Sequence, residues 1–76
     1  MKVLVIFHGE LSVLTGTTRK YYFDVSSLSD LRFRILDDFP GIVHVNHRIC
    51  INEKIRSFKA RIRNDDKICQ IPSENN

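Results

Sequence analysis

An α+β domain, with a mixed sheet of four to five strands and one main helix packed on one face, is the fold class this sequence predicts. Three observations carry it. Alternating apolar runs stand near both ends, a capped helical stripe lies between them, and further strand-like runs are separated by turn residues. The chain has 76 residues and is 42% apolar, enough for one small core. A domain of this size buries about 60% of its unfolded surface, so its stability margin is thin. Residues 1–72 are expected to form the single domain and residues 73–76 a flexible tail.

Lys2 to His8 reads as a strand apolar on both sides, with Val3, Val5 and Phe7 on one face and Leu4 and Ile6 on the other. Such a strand sits centrally or offers its second face to a partner. Glu10 to Gly16 reads as a short turn-like linker closed by a glycine. Arg19 to Val25 is rich in strand formers and predicts an edge strand hairpinned to the first, its basic start guarding the edge. Ser27 is a good N-cap with Asp30 following as in a capping box. Leu28, Leu31, Ile35 and Phe39 then line one helical stripe, with Leu36 at its margin and Phe33 off it. Phe39-Pro40-Gly41 ends this helix, because proline disfavours helical geometry in the residue before it. After a connection over residues 42–47, Arg48 to Asn52 is a third strand and Asn52-Glu53-Lys54 a turn. Ile55 to Arg63 reads as a short strand followed by a loop or a helical turn. Asn64-Asp65-Asp66 is a turn by composition, and Lys67 to Ile71 is the last strand.

Net charge is +3, all of it in residues 47–76, which carry seven Lys/Arg and four Asp/Glu. Arg56, Lys59, Arg61, Arg63 and Lys67 read first as a solvated surface. Phe58 alone among them could stack on a base, so no nucleic-acid partner is expected. The opening apolar run is too short for a leader or a membrane span, and a soluble, cytoplasmic protein with reduced cysteines follows. His8, His44 and His47 lack metal-ligand spacing, and no nucleophilic triad, phosphate loop or paired-carboxylate motif occurs. The expectation is no enzyme, no metal and no cofactor.

The order of elements matches a β-grasp, the fold of ubiquitin. Lys2-Val3-Leu4-Val5-Ile6-Phe7, Glu10-Leu11 followed by Gly16, and the helix after Ser27-Leu28-Ser29-Asp30-Leu31 resemble the MoaD/ThiS sulfur carriers over nearly the whole chain. Ile51-Asn52-Glu53-Lys54 and Asp66-Lys67-Ile68-Cys69-Gln70-Ile71-Pro72 resemble the family's later strands and its ending. The resemblance implies a small carrier-related protein that docks on sulfur-transfer enzymes of molybdopterin or thiamin biosynthesis. Its partners would be an activating enzyme or the large subunit of a synthase. In that family a terminal Gly-Gly is converted to a thiocarboxylate. Here Ser73 replaces the family's second proline, and the tail runs Pro72-Ser73-Glu74-Asn75-Asn76. Asparagine side chains are expected to clash in a tunnel built for glycine, which leaves thiocarboxylate chemistry open. The alternative is a β-grasp interaction module or regulatory subunit with no role in sulfur transfer.

Carried through the β-grasp pattern, Leu4, Ile6, Cys69 and Ile71 lie on the sheet face away from the helix, where relatives dock their partners. Scattered, partly exposed strand residues are the plainer reading. On the same pattern Cys50 and Cys69 are neighbours, either a thiol pair or two inert small hydrophobes.

Overall fold

The computed structural model describes residues 1–73. Its elements are β1 (Val3–Phe7), α1 (Glu10–Thr15), β2 (Arg19–Tyr22), α2 (Leu28–Asp38), a 3-10 turn (Pro40–His44), β3 (His47–Ile51), β4 (Lys54–Arg56) and β5 (Lys67–Pro72). Among the described residues the strands form one sheet in the order β2-β1-β5-β3-β4. Only β1 and β5 run parallel, with Val5 opposite Ile68 and Ile6 opposite Cys69; the other three pairs are antiparallel.

Strand alternation decides what each face carries. Val3, Val5 and Phe7 of β1, Ile49 and Ile51 of β3, and Ile68 of β5 all point to one side and are buried. Leu28, Leu31 and Ile35 of α2 cover them, and Leu11, Val25, Ile42 and Ile62 close the edges of the same core. Phe39 is held edge-on against Phe7 at 5.6 Å between ring centroids. The helical stripe therefore packs as its spacing predicts, and Phe33 stands 74% exposed.

Caps fix where α2 begins. The Ser27 hydroxyl accepts the Asp30 N–H at 3.0 Å, while the Asp30 carboxylate accepts the N–H of Ser26, one residue earlier than in a standard capping box. Arg34, one turn on, donates to the carbonyls of Phe23 and Asp24 and so ties the strand-to-helix reversal, where Asp24 has a φ of 55°. At the far end the Asp38 carboxylate receives the Lys20 ammonium and the Tyr22 hydroxyl, each at 2.7 Å, pinning the helix to the edge strand β2. Burial and that carboxylate together push the Tyr22 hydroxyl well above its usual range.

Three elements depart from the sequence expectation: β2 stops at Tyr22 rather than Val25, a 3-10 turn over Pro40–His44 enters the expected connection, and the third is the expected linker. Glu10 to Gly16 is a helical turn and a half rather than a linker. Only Leu11 of it is buried, while Val13 is 82% exposed, so no apolar stripe announces it. It is set by backbone: Gly16 closes it in the left-handed region at φ 74° and donates to the Ser12 carbonyl. The ambiguous stretch after the third strand resolves into the short strand β4 and an irregular loop that drops Ile62 into the core. The turn before β4 has Asn52 and Glu53 both at positive φ, the backbone of a two-residue type I′ hairpin.

Candidate functional site

The face of the sheet opposite α2 has no helix on it among the described residues. Register places its residues in rows. Ile6 stands opposite Arg19 on one side and Cys69 on the other. Cys69 stands opposite Cys50, and Cys50 opposite Ile55. One row, Arg19-Ile6-Cys69-Cys50-Ile55, thus crosses all five strands. Leu4 lies beside it with Tyr21 and Lys67 as in-register neighbours, and Ile71 beside it with Arg48. Leu4, Ile6 and Ile71 are half-buried, whereas Tyr21 and Ile55 are exposed. Tyr21 stacks on the exposed Phe23 with ring centroids 6.5 Å apart, extending the apolar surface past the edge strand.

The rim is basic. Lys2 lies 5.4 Å from the Tyr21 ring centroid, and its ion pair with Asp65 spans 3.9 Å between exposed side chains. Lys67 meets Glu53 at 3.8 Å. Such open pairs are worth little, and Arg19 and Arg48 have no ion pair among the described residues. The surface is apolar at its centre and cationic around it, an arrangement suited to a protein partner with an acidic rim.

Both cysteines are free and lie under the taller side chains of this face. The Asn52 N–H bonds to Lys67 O, and the Ser73 N–H to Asn46 O, at opposite ends of the β3/β5 ladder. Counting by twos from either end makes Cys50 and Cys69 a hydrogen-bonded pair, with Cα atoms about 5.5 Å apart. That separation is within disulfide range. The Cys69 thiol is quiet, however. Burial first, and then the neighbouring Cys50 and Glu53, push the Cys69 thiol upward, with Lys67 only partly opposing them. A thiol raised in this way is a poor nucleophile at neutral pH. Among the described residues no group of three His, Cys, Asp or Glu is placed to hold a metal ion.

At the end of β5, Pro72 occupies a position opposite His47 that needs no ladder N–H from it, and its ring lies against Gly9. A Cβ at Gly9 would come within 3.3 Å of that ring, and Gly9 itself has a φ of 54°. Ser73 continues the β3 pairing. Glu74, Asn75 and Asn76, named from the sequence as the tail, lie outside the described residues. No helix among the described residues is long and apolar enough to cross a membrane.

This layout, a mixed sheet with one main helix crossing one face and parallel first and last strands, is the ubiquitin-like β-grasp. Solved structures with the same fold were found. A putative molybdopterin converting factor, subunit 1, from Pyrococcus furiosus superposes with a TM-score of 0.84 at 15% identity, over 95% of this chain and 97% of that one. SAMP1 from Haloferax volcanii gives 0.83 at 10% identity, over 100% and 99%. A chain in the protein–protein complex of subunits 1 and 2 of the molybdopterin-converting factor from Helicobacter pylori gives 0.71 at 21% identity, over 100% and 99%. No family model matches the sequence, and no curated protein matches it. The fold expected from the sequence is thus the fold observed, in chains of closely similar length.

Proposed function

We propose that the protein is a MoaD/ThiS-like, carrier-related β-grasp protein that docks its uncovered sheet face on a sulfur-transfer enzyme of molybdopterin or thiamin biosynthesis. The observation that carries this reading is the apolar row through Ile6, Cys69, Cys50 and Ile55, flanked by Leu4 and Ile71, on the face opposite the main helix α2. The fold likeness supports it, and so does the Helicobacter pylori neighbour, whose printed description is a complex between two subunits. The two cysteines serve the face as small, close-packed floor residues. Catalysis belongs to the partner in this reading, and the chain itself is no enzyme.

The partner is an activating enzyme or the large subunit of a synthase. Ile6→Asp places a carboxylate at the centre of the face and is expected to weaken partner binding at least tenfold while leaving the fold intact. Unchanged binding would overturn the docking site. Intact mass after incubation with activating enzyme, ATP and a sulfur donor tests the carrier step separately. A thiocarboxylate adduct establishes it, and an unmodified mass leaves docking alone. A second reading is an interaction module outside sulfur transfer, which the same uncovered face would serve equally well. Affinity purification from the native cell decides between the two, since recovery of molybdopterin or thiamin enzymes selects the first.

A further inference from the structure

Gln70 points to the helix side of the sheet, between Phe7 and Ile49 in register. It is 1% exposed, and its Oε1 has no hydrogen-bond partner among the described residues. A buried amide left in that state carries its desolvation cost with no return. It forms part of the wall of a groove of about 250 Å³ between α2, the 3-10 turn and strands β3 and β5. Ile35, Leu36 and Ile42 give the groove an apolar lining, and no carboxylate lines it.

Two basic side chains line the same groove. The Arg32 guanidinium lies 3.7 Å from the Phe58 ring centroid, and the His47 ring lies 6.1 Å from the same centroid. Phe58 thereby steadies both. The His47 Nδ1 faces the Val45 carbonyl at 2.8 Å, which leaves Nε2 for another partner. Arg32 makes no ion pair among the described residues. A fork of N–H donors at the rim, an apolar middle and an unpartnered amide at the floor define a ligand by its chemistry.

We propose that this groove is a binding site for a small carboxylate with an apolar body and a hydroxyl or amide at its far end. Arg32 and His47 hold the carboxylate, Ile35, Leu36 and Ile42 take the body, and the Gln70 amide pairs with the far polar group by presenting either its oxygen or its NH2. The volume equals that of about eight waters, enough for one aromatic ring and a short acid arm. The site lies across the sheet from the docking face, so it stands or falls independently of that reading.

The test is a titration of the ¹⁵N-labelled protein with 3-(4-hydroxyphenyl)propionate, the analogue without the hydroxyl, and the corresponding neutral amide. The full ligand is expected to saturate, shifting the Gln70 side-chain NH2 and the Arg32 Nε–H signals. Each analogue is expected to bind at least fivefold more weakly, because each leaves one polar end unpaired. Arg32→Gln should weaken the carboxylate at least fivefold without altering the binding of the amide. The proposal is overturned by no saturation, which would mean that the amide holds only water. It is equally overturned by shifts centred on Leu4 and Ile6, or by equal binding of all three compounds.

Discussion

Replacing Gln70 with methionine should make this protein more stable, although it removes a polar group from a well-packed strand. The side chain is 1% exposed and its oxygen is unpaired, so the native state bears a desolvation cost of about 1–3 kcal/mol that the unfolded chain does not. Methionine has nearly the same length, adapts to irregular space and needs no partner. Allowing for imperfect repacking, the gain is about 1.5 kcal/mol. For a domain of this size it corresponds to a rise in Tm of about 6–12 °C. In urea, with a slope of about 1 kcal/mol per molar, the midpoint should move up by about 1.5 M at constant slope. A midpoint that stays put or falls would refute the reasoning, because it would mean the amide is already satisfied by water in the groove. Stability given up at one buried position, while the surrounding core obeys ordinary rules, is the pattern expected of a binding site.

Other expectations follow from single contacts. Gly16→Ala meets no atom within 4 Å, so its cost is that of an L-residue at φ 74°, about 1–2 kcal/mol by thermal unfolding. Leu31→Ala, in a fully buried position, should cost about 2–5 kcal/mol, a large part of what so small a domain possesses. The hydrogen bond from Lys20, and then that from Tyr22, hold the Asp38 carboxyl below the usual carboxylate range. Its contribution is therefore complete above the unfolded value near pH 4 and disappears as pH falls through the lower folded value. Asp38→Asn should destabilise at neutral pH by less than about 1 kcal/mol, since the ion pair is partly exposed, and should flatten the acid limb of stability below about pH 4. Iodoacetamide at pH 7.5 should label Cys50 and Cys69 at least tenfold more slowly than free cysteine, and urea should abolish the difference; rapid native labelling would contradict the buried thiol pair.

The sequence made the sheet and the main helix legible because both obey strict periods. Val3, Val5 and Phe7 alternate with Leu4 and Ile6, and Ser27 with Asp30 marks a helix start that needs no tertiary context. Helix α1 is not legible for the opposite reason. Its order comes from a glycine in the left-handed region and from one buried leucine, neither of which makes a period. The 3-10 turn and Ile62 belong to the same class, held by packing from elsewhere in the chain. The outer row of side chains could be sketched from alternation, but its register, and with it the pairing of Cys50 with Cys69, depends on strand order. Gln70 shares the inward parity of Ile68, so alternation alone marks it as buried. That its amide is left without a partner is a property of the surrounding side chains, which no local pattern encodes.

The parallel pairing of β1 with β5 also has a mechanical meaning. A pull applied between residue 3 and residue 72 slides one strand along the other, and their slanted hydrogen bonds bear the load together. A hairpin tugged at its open end instead gives way one rung at a time. The domain is therefore braced against tension along its last strand, in the direction in which a hairpin is weakest.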